Sequence, residues 1–154
     1  MSDTPEKPRA VRRRFTQSTR DLVMRRADDR CEYCQTGEYN TGQPMHIEHI
    51  TPVADGGSNN ADNLCLACSS CNLSKGAATV GHDLVTDQMV PLFNPRQQSW
   101  SEHFQWSDGG LRIRGKTPIG RATIARLKMN QPRVIRARQN WIAAGNHPPK
   151  RRRR

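Results

Sequence analysis

The stretch Cys31-Glu32-Tyr33-Cys34, then His46-Ile47-Glu48-His49-Ile50-Thr51-Pro52, Asp62-Asn63 and Cys68-Ser69-Ser70-Cys71-Asn72-Leu73-Ser74-Lys75, decides the reading of this chain. Two Cys-x-x-Cys pairs, Cys31/Cys34 and Cys68/Cys71, have the spacing with which a tight turn offers two thiolates to one edge of a tetrahedral ion. Two such pairs brought together make a structural Zn²⁺ site. Between and just after them stand the groups that a metal-dependent phosphodiesterase requires: a carboxylate beside a histidine, and two asparagines.

The bulk properties suit a small nucleic-acid protein. The chain has 154 residues, only 34% of them hydrophobic, too few for a large core. A small fold of this kind needs a staple, and zinc is the obvious one. No apolar run approaches a membrane span, and the N-terminus lacks a signal-peptide core, so a cytoplasmic protein without membrane association is expected. There, paired cysteines favour metal over disulfides.

The net charge of +11 is unevenly spread. Lys and Arg stand against Asp and Glu as 9 to 5 in residues 1–30, 1 to 5 in 31–80, 1 to 4 in 81–110 and 14 to 0 in 111–154. The segment with the chemistry is acidic, as a divalent-cation site should be. The two ends carry the charge that holds a polyanion.

Pro5, Pro8 and the Arg12-Arg13-Arg14 run make residues 1–17 a basic, disordered arm. Ser18, with Asp21 in the capping-box position, predicts a helix over roughly 19–29 with Leu22, Val23 and Ala27 facing inward. Met45 to Ile50 predicts a strand with His46, Glu48 and Ile50 on one face, ended by Pro52, and Asp55-Gly56-Gly57-Ser58 predicts a tight turn. Asp62 or Asn63 then caps a helix that carries Cys68 to Lys75 and stops near Gly76. Farther on, His103–Trp106 and Leu111–Arg114 flank Ser107-Asp108-Gly109-Gly110 as a β-hairpin, with Phe104 and Trp106 opposed to Leu111 and Ile113. Thr117-Pro118 opens a basic helix to about Met129, and Pro132 opens another that Gly145 stops, with Arg133, Arg136 and Arg138 on or near its polar side.

Residues 31–76 resemble the HNH endonuclease family, whose pattern runs Cys-x-x-Cys, acid-His-Ile-x-Pro, Gly-Gly, Asp-Asn-Leu, Cys-x-x-Cys-Asn/His, Lys. The resemblance implies an α+β protein with a small ββα-metal core stapled by a tetrathiolate zinc site, followed by a C-terminal β-hairpin and basic helices. The nuclease core then spans 18–80, the extension 81–147 and a basic tail 148–154. Two positions depart from the family: Glu48 stands where Asp is commoner, and Asn72 where many members have His.

The implied activity is metal-dependent endonucleolytic hydrolysis of DNA, leaving 5′ phosphates. Such hydrolysis needs an in-line water, a base and a cation. His49 is the best base, since a neutral imidazole is available near pH 7. The resemblance gives Asn63 the role of orienting that base and pinning the loop. Glu48 offers a hard oxygen for Mg²⁺ or Mn²⁺, and the Asn72 side-chain carbonyl a second. His46 shares the strand face of Glu48 and is read as a supporting contact near that metal. Cys65, three before Cys68, competes for zinc; the Cys68/Cys71 choice keeps Asn72 and Lys75 in register with the family pattern.

Lys75, Arg121, Arg126, Arg133, Arg136 and Arg138 are the expected DNA contacts. Duplex DNA is the expected partner, with RNA a second candidate because arginine-rich segments bind either polymer. The aromatic residues of the extension read as core, and His82, His103 and His147 have no metal spacing. A different class of function remains open: a zinc-ribbon nucleic-acid-binding protein without turnover.

Overall fold

A computed structural model describes residues 15–150. The basic arm expected at the N-terminus falls mostly outside these residues, as does the tail from 151 onward. Helix α1 spans Gln17–Ala27. Its cap is Thr16, whose side chain accepts from Thr19 N at 3.2 Å, and not the expected Ser18. Val23 points into the core, while Leu22 is 40% exposed and Ala27 only packs against the core edge. Asp28, at φ 56°, ends the helix in a left-handed cap.

After the first cysteine turn and a single-turn helix α2 (Glu38–Thr41), strand β1 (His46–His49) pairs antiparallel with β2 (Leu64–Ala67). Glu48 faces Cys65 across this ladder and His49 faces Leu64. β2 replaces the longer helix expected after Asp62. All four of its residues are buried, so the sequence shows an unbroken apolar run, which has no period to distinguish strand from helix. The strand wins because α1 covers one face through Val23, while Cys65 and Ala67 belong to the core around the four paired cysteines. Helix α3 (Ser69–Lys75) begins only at Cys68, whose sulfur accepts from Cys71 N, and gives out at Gly76 with φ 52°.

The extension adds a hairpin that the sequence does not predict, β3 (Val80–Asp83) with β4 (Gln88–Pro91). A single-turn helix α4 (Trp100–His103) then leads into the expected hairpin β5 (Phe104–Ser107) and β6 (Arg112–Gly115). Trp106 faces Ile113 as expected, but Phe104 faces Gly115, because Leu111 belongs to the turn. Helix α5 (Pro118–Leu127) has Thr117 as its cap, bonded to Gly120 N at 3.0 Å, and α6 (Pro132–Ala143) follows.

One core joins these parts. Phe93, Phe104, Ile113, Leu127 and Met129 pack in the same cluster as the four paired cysteines, so the extension is built onto the metal-binding centre. Arg138 lies inside this packing with no exposed surface. Its guanidinium donates to Met129 O at 2.7 Å, Leu111 O at 3.0 Å and Asn130 Oδ1 at 3.1 Å, and stacks over Trp106. The expectation that it contacts DNA is therefore wrong. Helical spacing alone puts Arg138 on the polar side of α6, but an arginine with enough carbonyl partners is taken into the core. Among the described residues no helix is long and apolar enough to cross a membrane.

Candidate metal centre and active site

The four cysteines Cys31, Cys34, Cys68 and Cys71 bring their sulfurs within 4.8 Å of one another. Each pair closes the same local turn: Cys34 N donates to Cys31 Sγ at 3.5 Å and Cys71 N to Cys68 Sγ at 3.4 Å. Gln35 takes φ 64° to complete the first turn. Glu32 then docks that turn on β2, its amide bonded to Leu66 O and its carboxylate to Leu66 N, both at 2.8 Å. Arg96 holds the other oxygen of Glu32.

Burial pushes the Cys31 thiol up, while the hydrogen bond from Cys31 pulls Cys34 down. One thiolate can be stabilised by its neighbours; four packed together require a cation. The chemistry and spacing of this donor set fit tetrahedral zinc. Cys65 stands apart. Its sulfur lies outside the four-sulfur cluster and contacts the Tyr33 hydroxyl at 3.5 Å, so it is a core residue; burial pushes its thiol up to about 12.

A second group of polar side chains gathers around β1. The His49 ring packs 5.4 Å from that of Phe15 and its Nε2 lies 2.8 Å from Asn59 Oδ1. An amide oxygen only accepts, so Nε2 donates to it, and in the neutral imidazole the lone pair then sits on Nδ1, which has no hydrogen-bond partner among the described residues. Among the described residues Asn63 makes no hydrogen bond to His49. Its side chain accepts from Thr51 N at 2.9 Å and donates to Thr51 O at 3.0 Å and Ser58 O at 2.8 Å, drawing the two ends of the Pro52–Ser58 loop together. Gly57 sits where this loop passes Thr51; a Cβ there would collide with the Thr51 carbonyl. The two roles that the resemblance gives to Asn63 are thus divided. Asn63 pins the loop, and Asn59, which in the sequence is one more asparagine in a turn, meets the imidazole.

Glu48, adjacent to His49, is buried, and its carboxylate is engaged by Lys75 at 3.1 Å. Burial raises the Glu48 carboxyl above its ordinary value and the Lys75 ammonium opposes that shift. Lys75 is 1% exposed, so it does not reach a phosphate, contrary to expectation. Asn72 lies three residues earlier on α3, half-buried, with its side-chain amide unpaired among the described residues. His46 bonds Ser69 Oγ at 3.0 Å and so ties β1 to the start of α3.

The expected DNA contacts divide as well. Arg126, Arg133 and Arg136 are exposed. Arg121 is committed to buried Asp83, with Nε at 2.8 Å and a terminal nitrogen at 3.0 Å, and so serves as a structural partner.

Residues 31–78 match the family model described as HNH endonuclease. No curated protein and no solved structure gives a match to the chain. The paired-cysteine centre, the β1–β2 hairpin, helix α3 and this match together make residues 31–78 a domain of the HNH endonuclease family.

Proposed function

We propose that the protein is a metal-dependent DNA endonuclease in which His49 activates water. The observation that carries this reading is the fixed orientation of the imidazole: Asn59 holds Nε2, leaving Nδ1 with its lone pair on the residue that follows Glu48 in β1. A base so held accepts a proton from water without first reorienting. Two hard oxygens are available for Mg²⁺ or Mn²⁺. Glu48 Oε2 makes no hydrogen bond among the described residues, since only Oε1 meets Lys75, and the Asn72 side-chain carbonyl is likewise unengaged. Glu48 and Asn72 would hold a divalent cation, which would supply positive charge to stabilise the transition state and the departing 3′ oxygen.

Asn63 keeps the loop that follows β1 closed, and the cysteine centre ties the turn before α2 to the junction of β2 and α3. The exposed Arg126, Arg133 and Arg136 supply sequence-independent attraction to the phosphates.

The Lys75–Glu48 ion pair favours a second reading, a zinc-stapled nucleic-acid-binding protein without turnover, because the carboxylate is already neutralised. Supercoiled plasmid incubated with the protein and Mn²⁺, beside a His49→Ala control, separates the two. Cleavage should fall by roughly 10² to 10⁴ fold in the variant, with zinc content and DNA affinity unchanged. Absence of cleavage by the unaltered protein, or equal cleavage by both, defeats the nuclease reading.

A further inference from the structure

Lys75 Nζ sits among three oxygens: Glu48 Oε1 at 3.1 Å, His49 O at 3.2 Å and Ile50 O at 3.4 Å. An ammonium has three donors, so all are used, and with 1% exposure none is left for an incoming phosphate. The three acceptors come from three successive residues of one chain segment, with the base, His49, in the middle. One cation at the end of α3 therefore fixes both the carboxylate and the backbone that carries the imidazole. It also takes one carboxylate oxygen and cancels the charge of the other.

We infer that Lys75 is a positioning residue that confines Glu48 to a single free oxygen and keeps the DNA-free site electrically neutral, so that a divalent cation binds well only together with a DNA phosphate. The inference rests on the reading of Glu48 as a metal ligand given above. Its physical basis is local charge. Glu48 and Lys75 sum to zero, whereas Mg²⁺ and Mn²⁺ sites gain their affinity from the anionic oxygens around them, those of substrate phosphates included. A buried like charge beside the carboxylate opposes a second cation, and that opposition is weakly screened away from solvent. The phosphate restores the negative charge that Lys75 removes. Cation and DNA then strengthen each other's binding by the same factor.

The test is Mn²⁺ binding, read from the electron paramagnetic resonance signal of free Mn²⁺, on the full zinc-loaded chain without DNA and with a short duplex. A His49→Ala background keeps the duplex intact. DNA should tighten Mn²⁺ binding by at least about ten-fold, within the usual range of such couplings. Lys75→Met should tighten DNA-free binding by about ten-fold or more and shrink the effect of DNA, while Lys75→Arg, which keeps the charge, should retain the coupling. Zinc content and circular dichroism establish that each variant is folded.

Equal Mn²⁺ affinity with and without DNA in the Lys75-containing protein overturns the inference, whether or not any variant folds. So does a folded Lys75→Met protein with unaltered binding. Glu48→Gln distinguishes the two levels of the argument. If it leaves Mn²⁺ binding intact, the assignment of Glu48 as ligand is what fails; if it abolishes binding while Lys75→Met changes nothing, only the role of Lys75 fails.

Discussion

Asn59 Oδ1 and His49 Nε2 are 2.8 Å apart across the loop that follows β1, and this contact leaves Nδ1 as the nitrogen that the proposed mechanism uses as its base. Asn59→Ala should lower kcat by about 10 to 100 fold, the usual cost of removing a group that orients a reactive histidine, with KM for DNA little changed. Asn59→Asp keeps the acceptor but adds a negative charge, which favours a protonated imidazole. The acid limb of its kcat/KM profile should move to higher pH. A profile that stays in place, together with an undiminished rate for Asn59→Ala, removes Asn59 from the mechanism.

Zinc content should separate Cys65 from the paired cysteines. Cys31→Ser or Cys71→Ser should lose zinc and most of the fold, because zinc binding and folding share one free energy. Cys65→Ser should keep full zinc by elemental analysis. In the native protein Cys65 should also resist thiol reagents, since its thiol, pushed up to about 12, is not ionised near neutral pH. Loss of zinc on changing Cys65 alone would contradict the tetrathiolate assignment.

Asp83 and Arg121 join β3 to α5, and their hydrogen bonds hold the Asp83 carboxyl well below the usual carboxylate range. A carboxyl so lowered contributes stability that is fully present above the unfolded value of about 3.9 and is lost as pH falls through the folded one. Asp83→Asn should therefore lower the melting temperature at pH 7 and flatten the fall in stability below about pH 4. Thermal melts of the two proteins, from strongly acidic to neutral pH, measure both effects.

Two kinds of arginine should separate in salt titrations. Arg133 and Arg136 occupy exposed positions of α6. If each neutralises one phosphate of duplex DNA, Arg133→Ala and Arg136→Ala should each reduce the slope of log affinity against log salt by about 0.9. Arg138→Met should leave the slope alone and destabilise the fold by roughly 2–3 kcal/mol, because its charge-assisted bonds to Met129, Leu111 and Asn130 disappear. A changed salt slope in a stable Arg138→Met protein would count against its interior role.

The features legible in the sequence are those whose geometry is decided within a few residues. Cys31/Cys34 and Cys68/Cys71 each close an amide-to-sulfur turn of their own, so both pairs can be read from spacing, although Cys65-x-x-Cys68 has the same spacing and lies in a strand instead. Thr117-Pro118 likewise caps and starts α5 by local chemistry, and Glu48 beside His49 is a matter of adjacency. Helix α1 is legible only to within its cap, because Thr16, Ser18 and Asp21 all have side chains that can accept from a first-turn amide, and a shift of register decides which amide is reached.

What only the tertiary structure decided depends on partners far apart in the chain. Lys75 meets Glu48 across 27 residues, Arg121 meets Asp83 across 38, and Arg138 finds its carbonyls across a turn and a neighbouring hairpin. A lysine or arginine looks the same in sequence whether water or a buried carboxylate solvates it. Which of the two does so is set by packing, since a charge enters the core only where the fold has already gathered enough acceptors for it. The β2 strand follows the same logic. Leu64-Cys65-Leu66-Ala67 carries no period of its own, and it becomes a strand because β1 offers its hydrogen bonds and α1 covers its face.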